Sequence, residues 1–193
     1  MCEYYTHRAG GLLAGALVLQ FYHAPPEIWP GALLLSAIAS AVPDFDHTQS
    51  TAQSASMNEL TSNIPVAGNI FGWLMVQGLR VSRKFLGKRE ATHSLLLAAI
   101  IWLGIRHLWP TIPPSMLYSV VAGFISHPLV DTFNPEGARL LWPFGPKFSL
   151  ARFLPWPFTF KTGSRVEKFI MRPALWVSSM WLIFGHTFFP RIT

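Results

Sequence analysis

Charge and cysteine are both scarce in this sequence of 193 residues. Charged side chains make up 12% of the chain and hydrophobic ones 51%, whereas soluble domains carry about 25% charged residues. This composition excludes intrinsic disorder, which requires low hydrophobicity and high charge. The single cysteine, Cys2, excludes an internal disulfide framework and a cysteine-based zinc cluster. We therefore expect one membrane-embedded domain that covers residues 1–193.

Five apolar stretches predict an all-α, polytopic membrane helical bundle. They comprise residues 10–22, 28–42, 94–109, 113–130 and 173–189. Each is at or below the ~17–25 residues that a straight membrane-spanning helix needs, so a soluble α-bundle stays open as an alternative. Residues 33–42 and 95–103 contain no charge, whereas a soluble helix normally has a polar outer face. The membrane interpretation is therefore favoured.

The segment between the second and third stretches has two parts. Residues 48–63 are rich in Ser, Thr, Gln and Asn, and residues 64–86 are apolar with a basic end. The second part predicts an amphipathic helix at the membrane interface, although hydropathy alone leaves a sixth crossing open. The bundle would then have five spans and one interfacial helix.

Basic residues indicate the orientation in the membrane. With five crossings and a cytoplasmic N-terminus, 13 of the 15 lysines and arginines lie on the cytoplasmic side, and only Arg106 and Arg191 lie opposite. Cytoplasmic loops of membrane proteins have this excess of basic residues. The net charge of +6 therefore indicates contact with anionic membrane lipids rather than with nucleic acid. The prediction is a multi-pass protein of the inner (cytoplasmic) membrane.

A histidine accompanies each of the three aspartates of the chain, and two more histidines adjoin apolar stretches. Imidazole and carboxylate groups are the ligands that zinc and manganese use. The candidate metal ligands are His7, Asp44, Asp46, His47, His93, His127 and Asp131. Any one of them alone would more simply be explained as a helix cap or an interfacial residue.

Alternating spans would bring all of these candidates to the cytoplasmic face, provided that residues 64–86 stay on the surface. Seven candidates exceed the needs of one tetrahedral ion with an open position, so one or two ions are expected. His127 and Asp131 share a helix face at i, i+4, although Pro128 between them is expected to kink or end that helix.

The ordered motifs of the chain resemble the YdjM family of LexA-regulated, membrane-bound, metal-dependent hydrolases. Regulation by LexA implies that this family takes part in the SOS response. The match starts at His7 and ends with Glu167 and Phe169. Between them lie the motifs PDFDH (43–47), REATHSLL (89–96), SHPLVD (126–131), NPEG (134–137) and LWP (141–143). This resemblance implies an inner-membrane helical protein with a metal site on the cytoplasmic side.

The family is itself similar to zinc-dependent phospholipase C, whose all-α site uses a His-x-x-x-acid pair like His127 and Asp131. That similarity implies zinc, whereas the ligand types by themselves also allow manganese. One position departs from the family pattern, because Glu90 stands where glycine is common. The change places an additional negative charge near His93.

Taken together, these features predict a metal-dependent hydrolase that cleaves a phosphoester of a lipid or lipid-linked substrate at the cytoplasmic membrane face. Glu90, Glu136 and Glu167 are the candidate general acids or bases, with Glu59 a further candidate. Arg139, Arg152 and Arg165 are candidates to hold an anionic group. Two alternatives stay open: a metal transporter or metal-sensing membrane protein, and an interaction protein whose metal is structural.

Overall fold

A computed structural model describes residues 4–46, 91–155 and 159–188, and these residues form a helical protein. The helices are α1 (Tyr4–Phe21), α2 (Trp29–Ala39), α3 (Leu95–Leu108), α4 (Pro114–Asp131) and α5 (Arg172–Phe188). Each coincides with one of the predicted apolar stretches, so the all-α prediction is confirmed. No helix of the described ranges is both long and apolar enough to cross a membrane, and the number of crossings stays a prediction.

Local chemistry explains where several of these helices begin. Ser94 caps α3, because its side chain accepts a hydrogen bond from the backbone N–H of Leu97 at 3.3 Å. Both α2 and α4 have a proline in their first turn, where the missing N–H leaves no helical hydrogen bond unmade. Pro128 lies inside α4, which nevertheless continues to Asp131.

The three helices α1, α2 and α4 pack closely on one another, while α5 lies against α1 and α3 against α4. Small residues permit this approach. A Cβ on Gly123 of α4 would overlap the backbone carbonyl of Ser36 on α2. The Ser36 hydroxyl also donates to the carbonyl of Gly11 on α1 at 2.7 Å. Interfaces of small and hydroxyl-bearing residues are typical of helices that pack within membranes.

The loop after α4 joins the end of that helix to the beginning of α3. The backbone N–H of Leu150 donates to the Thr132 carbonyl at 2.7 Å, and that of Leu95 donates to the Leu140 carbonyl at 2.8 Å. Gly137, in the NPEG motif, has a φ of +65°, and a Cβ there would lie 2.5 Å from a backbone oxygen of Phe148. This motif therefore shapes the loop through its glycine.

Candidate metal centre

Five of the seven predicted ligands come together where α1, α2, α3 and α4 meet. All five are buried, and they are His7, Asp44, His93, His127 and Asp131. They come from the first turn of α1, the 3-10 turn Val42–Asp46 after α2, the residues before α3 and the last turns of α4. Residues far apart in sequence thus form one buried group of imidazoles and carboxylates.

His127 lies at the centre of this group, and its ring orientation is fixed by α2. The Nδ1–H of His127 donates to the Ser40 carbonyl oxygen at 2.6 Å. Because a carbonyl can only accept, Nδ1 carries the proton, and in the neutral ring Nε2 carries the free lone pair. The Nε2 atom lies 3.1 Å from Nε2 of His93 and 3.6 Å from Oδ1 of Asp44.

His93 is held by the residue that precedes it. Its Nδ1 is hydrogen-bonded to the Thr92 hydroxyl oxygen at 3.0 Å, so Nε2 is the nitrogen that faces the group. The His93 ring stands nearly perpendicular to the His127 ring, at 75°. Two Nε2 atoms that converge from perpendicular rings are well placed to share one ion.

His7 contributes a buried imidazole to the group. The side chain is completely buried, and among the described residues neither Nδ1 nor Nε2 has a hydrogen-bond partner of good geometry. The Nε2 atom lies 3.4 Å from Oδ1 of Asp131, and the ring stacks on that of His127 with centroids 3.6 Å apart. A buried imidazole of this kind is unusual, and a metal ion would satisfy one of its two nitrogens.

The charges of the group shift the pKa values of His7 and Asp131, which lie just outside the predicted spans 10–22 and 113–130. Burial lowers the pKa of His7, but the Asp131, Asp44 and Glu167 carboxylates outweigh it and raise that pKa. Burial raises the pKa of Asp131, but the imidazoles of His7, His127 and His93 hold it well below its usual range. Without a metal, the Asp131 carboxylate is therefore the stable counter-charge of the group.

The distances between donor atoms fit a divalent metal. Two sets, His7 with Asp44 and His127, and His93 with His127 and Asp131, have all their donor atoms within 4.8 Å of one another. The close donor pairs are 3.1–3.7 Å apart. Bonds of about 2.0–2.1 Å in a tetrahedron place donors about 3.3 Å apart. The group can therefore hold a metal ion.

The remaining predicted residues occupy different positions. Asp46 ends the 3-10 turn, but its side chain lies outside the described part of the structure, as do His47, Glu59, Glu90 and residues 64–86. Glu136 is exposed. Arg152 and Arg165 are also exposed, whereas Arg139 is half-buried.

Glu167 is completely buried at the beginning of the π-helical turn Glu167–Met171 before α5. Its Oε2 accepts a hydrogen bond from the Gly163 backbone N–H at 2.7 Å. Turns of this type recur at functional sites. Of the glutamates in the described ranges, Glu167 is the one that contributes to the electrostatics of His7.

Sequence reasoning missed two groups that orient the histidines. The Ser40 carbonyl belongs to the main chain, so residue type gives no signal of it. A threonine beside a helix start is typical of a cap, so the residue type of Thr92 gives no signal that its hydroxyl contacts Nδ1 of His93. Such outer partners fix the tautomer and direction of metal-ligating histidines.

The sequence is similar to known inner membrane proteins. The family model described as YdjM inner membrane protein matches residues 1–190. The inner membrane protein YdjM of Escherichia coli K12 is 32% identical over 160 residues, and its Shigella flexneri counterpart matches equally well. These alignments cover 81% of this chain but 66% of each relative, just under two thirds of its length.

A more distant relative comes from Bacillus subtilis. The protein YvsG is 26% identical over 166 residues, which cover 86% of this chain and 85% of that protein. No solved structure matches the chain. The match of the family model to nearly the whole sequence, together with the 32% identity to YdjM, shows that the chain belongs to the YdjM inner membrane protein family.

Proposed function

We propose that the protein is a metal-dependent phosphoester hydrolase of the inner membrane, acting on a lipid or lipid-linked substrate. The observation that carries the proposal is the convergence of three buried imidazoles and two buried carboxylates at the donor spacing of a divalent metal. Within the described part of the chain, neither ring nitrogen of His7 has another hydrogen-bond partner. Zinc is the expected metal, because nitrogen and carboxylate oxygen are among its ligands; manganese is the second candidate.

The residues of the group would have separate tasks. His93, His127 and Asp131 present converging donor atoms, and Ser40 and Thr92 hold the two imidazoles in the orientation that keeps each Nε2 toward the group. A bound divalent metal lowers the pKa of water to near neutrality and polarises a phosphoryl oxygen. Glu167 is the proposed general base or acid, because it is buried and its charge helps to raise the pKa of His7; Glu136 and Glu90 are further candidates.

An inner-membrane location is supported by the distribution of apolar residues. Within the described ranges, alanine, glycine and serine fill much of the interior, while large apolar side chains are exposed on the helices. Examples are Leu103 on α3 and Val177 and Trp181 on α5, all more than half exposed. Soluble proteins rarely leave such extensive apolar surface in water. A lipid solvent explains it, and it would bring the site near lipid head groups.

The proposed orientation has its own test. With the N-terminus in the cytoplasm and five crossings, a reporter fused after Thr193 lies outside the cytoplasm. The same reporter after Thr132 tests the side on which the loop after α4 lies, which is expected to be cytoplasmic. Arg139, Arg152 and Arg165 follow that loop position and would then face anionic head groups. A cytoplasmic signal from both fusions contradicts the five-crossing topology.

A metal transporter or sensor is the second candidate, and one observation favours it. Every described member of the group is less than 10% exposed, which suits a site that encloses its ion. Transporter sites, however, lie near the bilayer midplane on broken helices. Here the donors lie at the ends of α1, α2, α3 and α4, and this placement favours hydrolysis at a surface.

The decisive experiment combines metal analysis with a substrate screen. Wild-type protein purified in detergent is compared with Asp44→Ala, His127→Ala and the control His107→Ala, whose exposed side chain lies at the far end of α3. We expect bound metal and hydrolysis of phosphoester lipids in wild type and control, and loss of both in the two site variants.

Two results would contradict the proposal. Wild-type protein that contains no metal under metal-replete conditions contradicts the proposed metal-dependent hydrolase. The protein could also bind metal stoichiometrically but hydrolyse none of the phospholipids, lipid phosphates and lipid-linked diphosphates. That result contradicts the proposed catalytic activity and supports the transporter or sensor.

A further inference from the structure

The two oxygens of Asp131 face different imidazoles. Oδ1 lies 3.4 Å from Nε2 of His7. Oδ2 lies 3.5 Å from Nε2 of His93 and 3.7 Å from Nε2 of His127. A carboxylate that presents each oxygen to a separate set of nitrogens has the geometry of a bridge between two cations.

The stacking of His7 on His127 excludes one simple alternative, a single ion shared by both rings. The two planes are within 11° of parallel, and their centroids are 3.6 Å apart. An imidazole binds a metal along its lone pair, in the plane of the ring. Ions bound in two parallel planes are separated by at least the distance between those planes, whereas one ion between the planes would lie out of line with both lone pairs.

His127 can serve only one ion, because its Nδ1–H is committed to the Ser40 carbonyl. Its Nε2 converges with Nε2 of His93 from a nearly perpendicular ring, which suits a shared ion. His7 is then left with Oδ1 of Asp131 and with Asp44, whose donor atom lies within 4.8 Å of its own. His7 and Asp44 are thus available to a second ion, with Asp131 common to both sets of donors.

We propose that the group is a two-metal centre with Asp131 as the bridging ligand. One ion is bound by His93, His127 and Oδ2 of Asp131, and the other by His7 and Oδ1 of Asp131, with Asp44 the nearest further carboxylate. The ring centroids are 3.6 Å apart, so ions bound in the two ring planes are compatible with the ~3.5–4 Å separation of two-metal hydrolytic sites. The inference rests on the metal binding in the proposed function and not on hydrolysis.

Such a centre narrows the substrate class. Paired ions at this spacing stabilise the attacking and leaving oxygens of an in-line displacement at phosphorus. Within lipid-linked substrates, the phosphate monoester or the terminal phosphate of a diphosphate suits the centre, because its unesterified oxygens can contact both ions. The overall reaction adds one water: the phosphorus–oxygen bond to the lipid side breaks, a new bond forms to the oxygen of the water, and the leaving oxygen takes a proton.

The test measures stoichiometry and magnetic coupling in the full chain in detergent. Wild type and the control His107→Gln, saturated with Mn²⁺ and freed of excess ion, are expected to hold two equivalents with an exchange-coupled electron paramagnetic resonance spectrum. His7→Gln is expected to hold one equivalent, bound by the His93 and His127 set, with an uncoupled spectrum. Asp131→Asn is expected to lose the coupling. Circular dichroism of each variant checks that it is folded.

The possible failures can be told apart. One equivalent in wild type, or two equivalents without coupling, overturns the two-metal centre even if phosphoesters are hydrolysed. Loss of both ions in a folded His7→Gln variant contradicts the assignment of His7 to one ion and of His93 and His127 to the other. Two coupled ions without hydrolysis support the centre and contradict only the proposed hydrolase. Failure of wild type to bind Mn²⁺ or Zn²⁺ removes both proposals.

Discussion

Nδ1 of His127 donates a hydrogen bond to the carbonyl oxygen of Ser40, the residue that caps the C-terminal end of α2. The last carbonyls of a helix lack partners within it and lie at the negative end of its dipole. A histidine that donates to such a carbonyl is held in one tautomer, and its other nitrogen becomes a better metal ligand. The end of α2 therefore contributes to the site through its backbone.

Thr92→Val is expected to weaken metal binding by about 10–100-fold, because it removes the hydroxyl partner of His93 Nδ1. Ser40→Ala is the informative comparison, since it leaves the carbonyl that holds His127. Isothermal titration with Zn²⁺ measures both, and Thr111→Val, an exposed site, is the control. A Ser40→Ala defect as large as that of Thr92→Val would contradict the role given to the backbone carbonyl.

Gly123→Ala is expected to lower the free energy of unfolding by about 1–3 kcal/mol, because overpacking strains a close interface. The added Cβ would overlap the carbonyl of Ser36. Gly104→Ala on α3 is the matched control, since nothing lies within 4 Å of its Cβ position, and alanine there is expected to be neutral or to stabilise by ~0.5–1 kcal/mol. Thermal unfolding in detergent compares the two variants; equal melting temperatures would contradict the packing argument.

Metal affinity is expected to rise with pH through the raised pKa of His7. A ligating imidazole must be deprotonated, so below that pKa the ion has to displace a proton. Each proton displaced changes the affinity by about tenfold per pH unit. Titrations with Zn²⁺ between pH 6 and 8 measure the slope, and His7→Gln is expected to reduce it. An unchanged slope in that variant would mean that another group supplies the proton.

The metal-free protein is expected to show the opposite trend in stability. The pKa of His7 is raised in the fold, so its contribution is complete below the ordinary value of 6.5 and is lost as pH rises through the raised value. The pKa of Asp131 is lowered, so its contribution is present above 3.8 and is lost at more acidic pH. Unfolding in EDTA should therefore give highest stability in mildly acidic solution, and a steady gain from pH 7 to 9 would contradict this.

Much of the fold and part of the site could be predicted from the sequence. Uncharged apolar runs and local caps such as Ser94 are encoded by neighbouring residues, so all five described helices were anticipated. The i, i+4 relation of His127 and Asp131 was also local, and the structure places their side chains 3.7 Å apart. The metal-binding role of these residues stays a prediction.

The contacts that could not be predicted depend on packing between segments that are far apart in the sequence. Nothing local indicates that His7 stacks on His127 or that a carbonyl of α2 holds an imidazole of α4. These contacts depend on the approach that Gly11 and Gly123 allow. Likewise, Glu136 and Glu167 were equivalent candidates in the sequence, and only the fold exposes one and buries the other.

The contact between Ser40 and His127 joins residues 87 positions apart in the chain. During synthesis, α1 and α2 emerge long before α4, so neither His127 nor Asp131 is present when the first ligands leave the ribosome. Contacts of such long separation form late. An ion bound by all of these residues would consequently be taken up only after the helices that carry them have assembled.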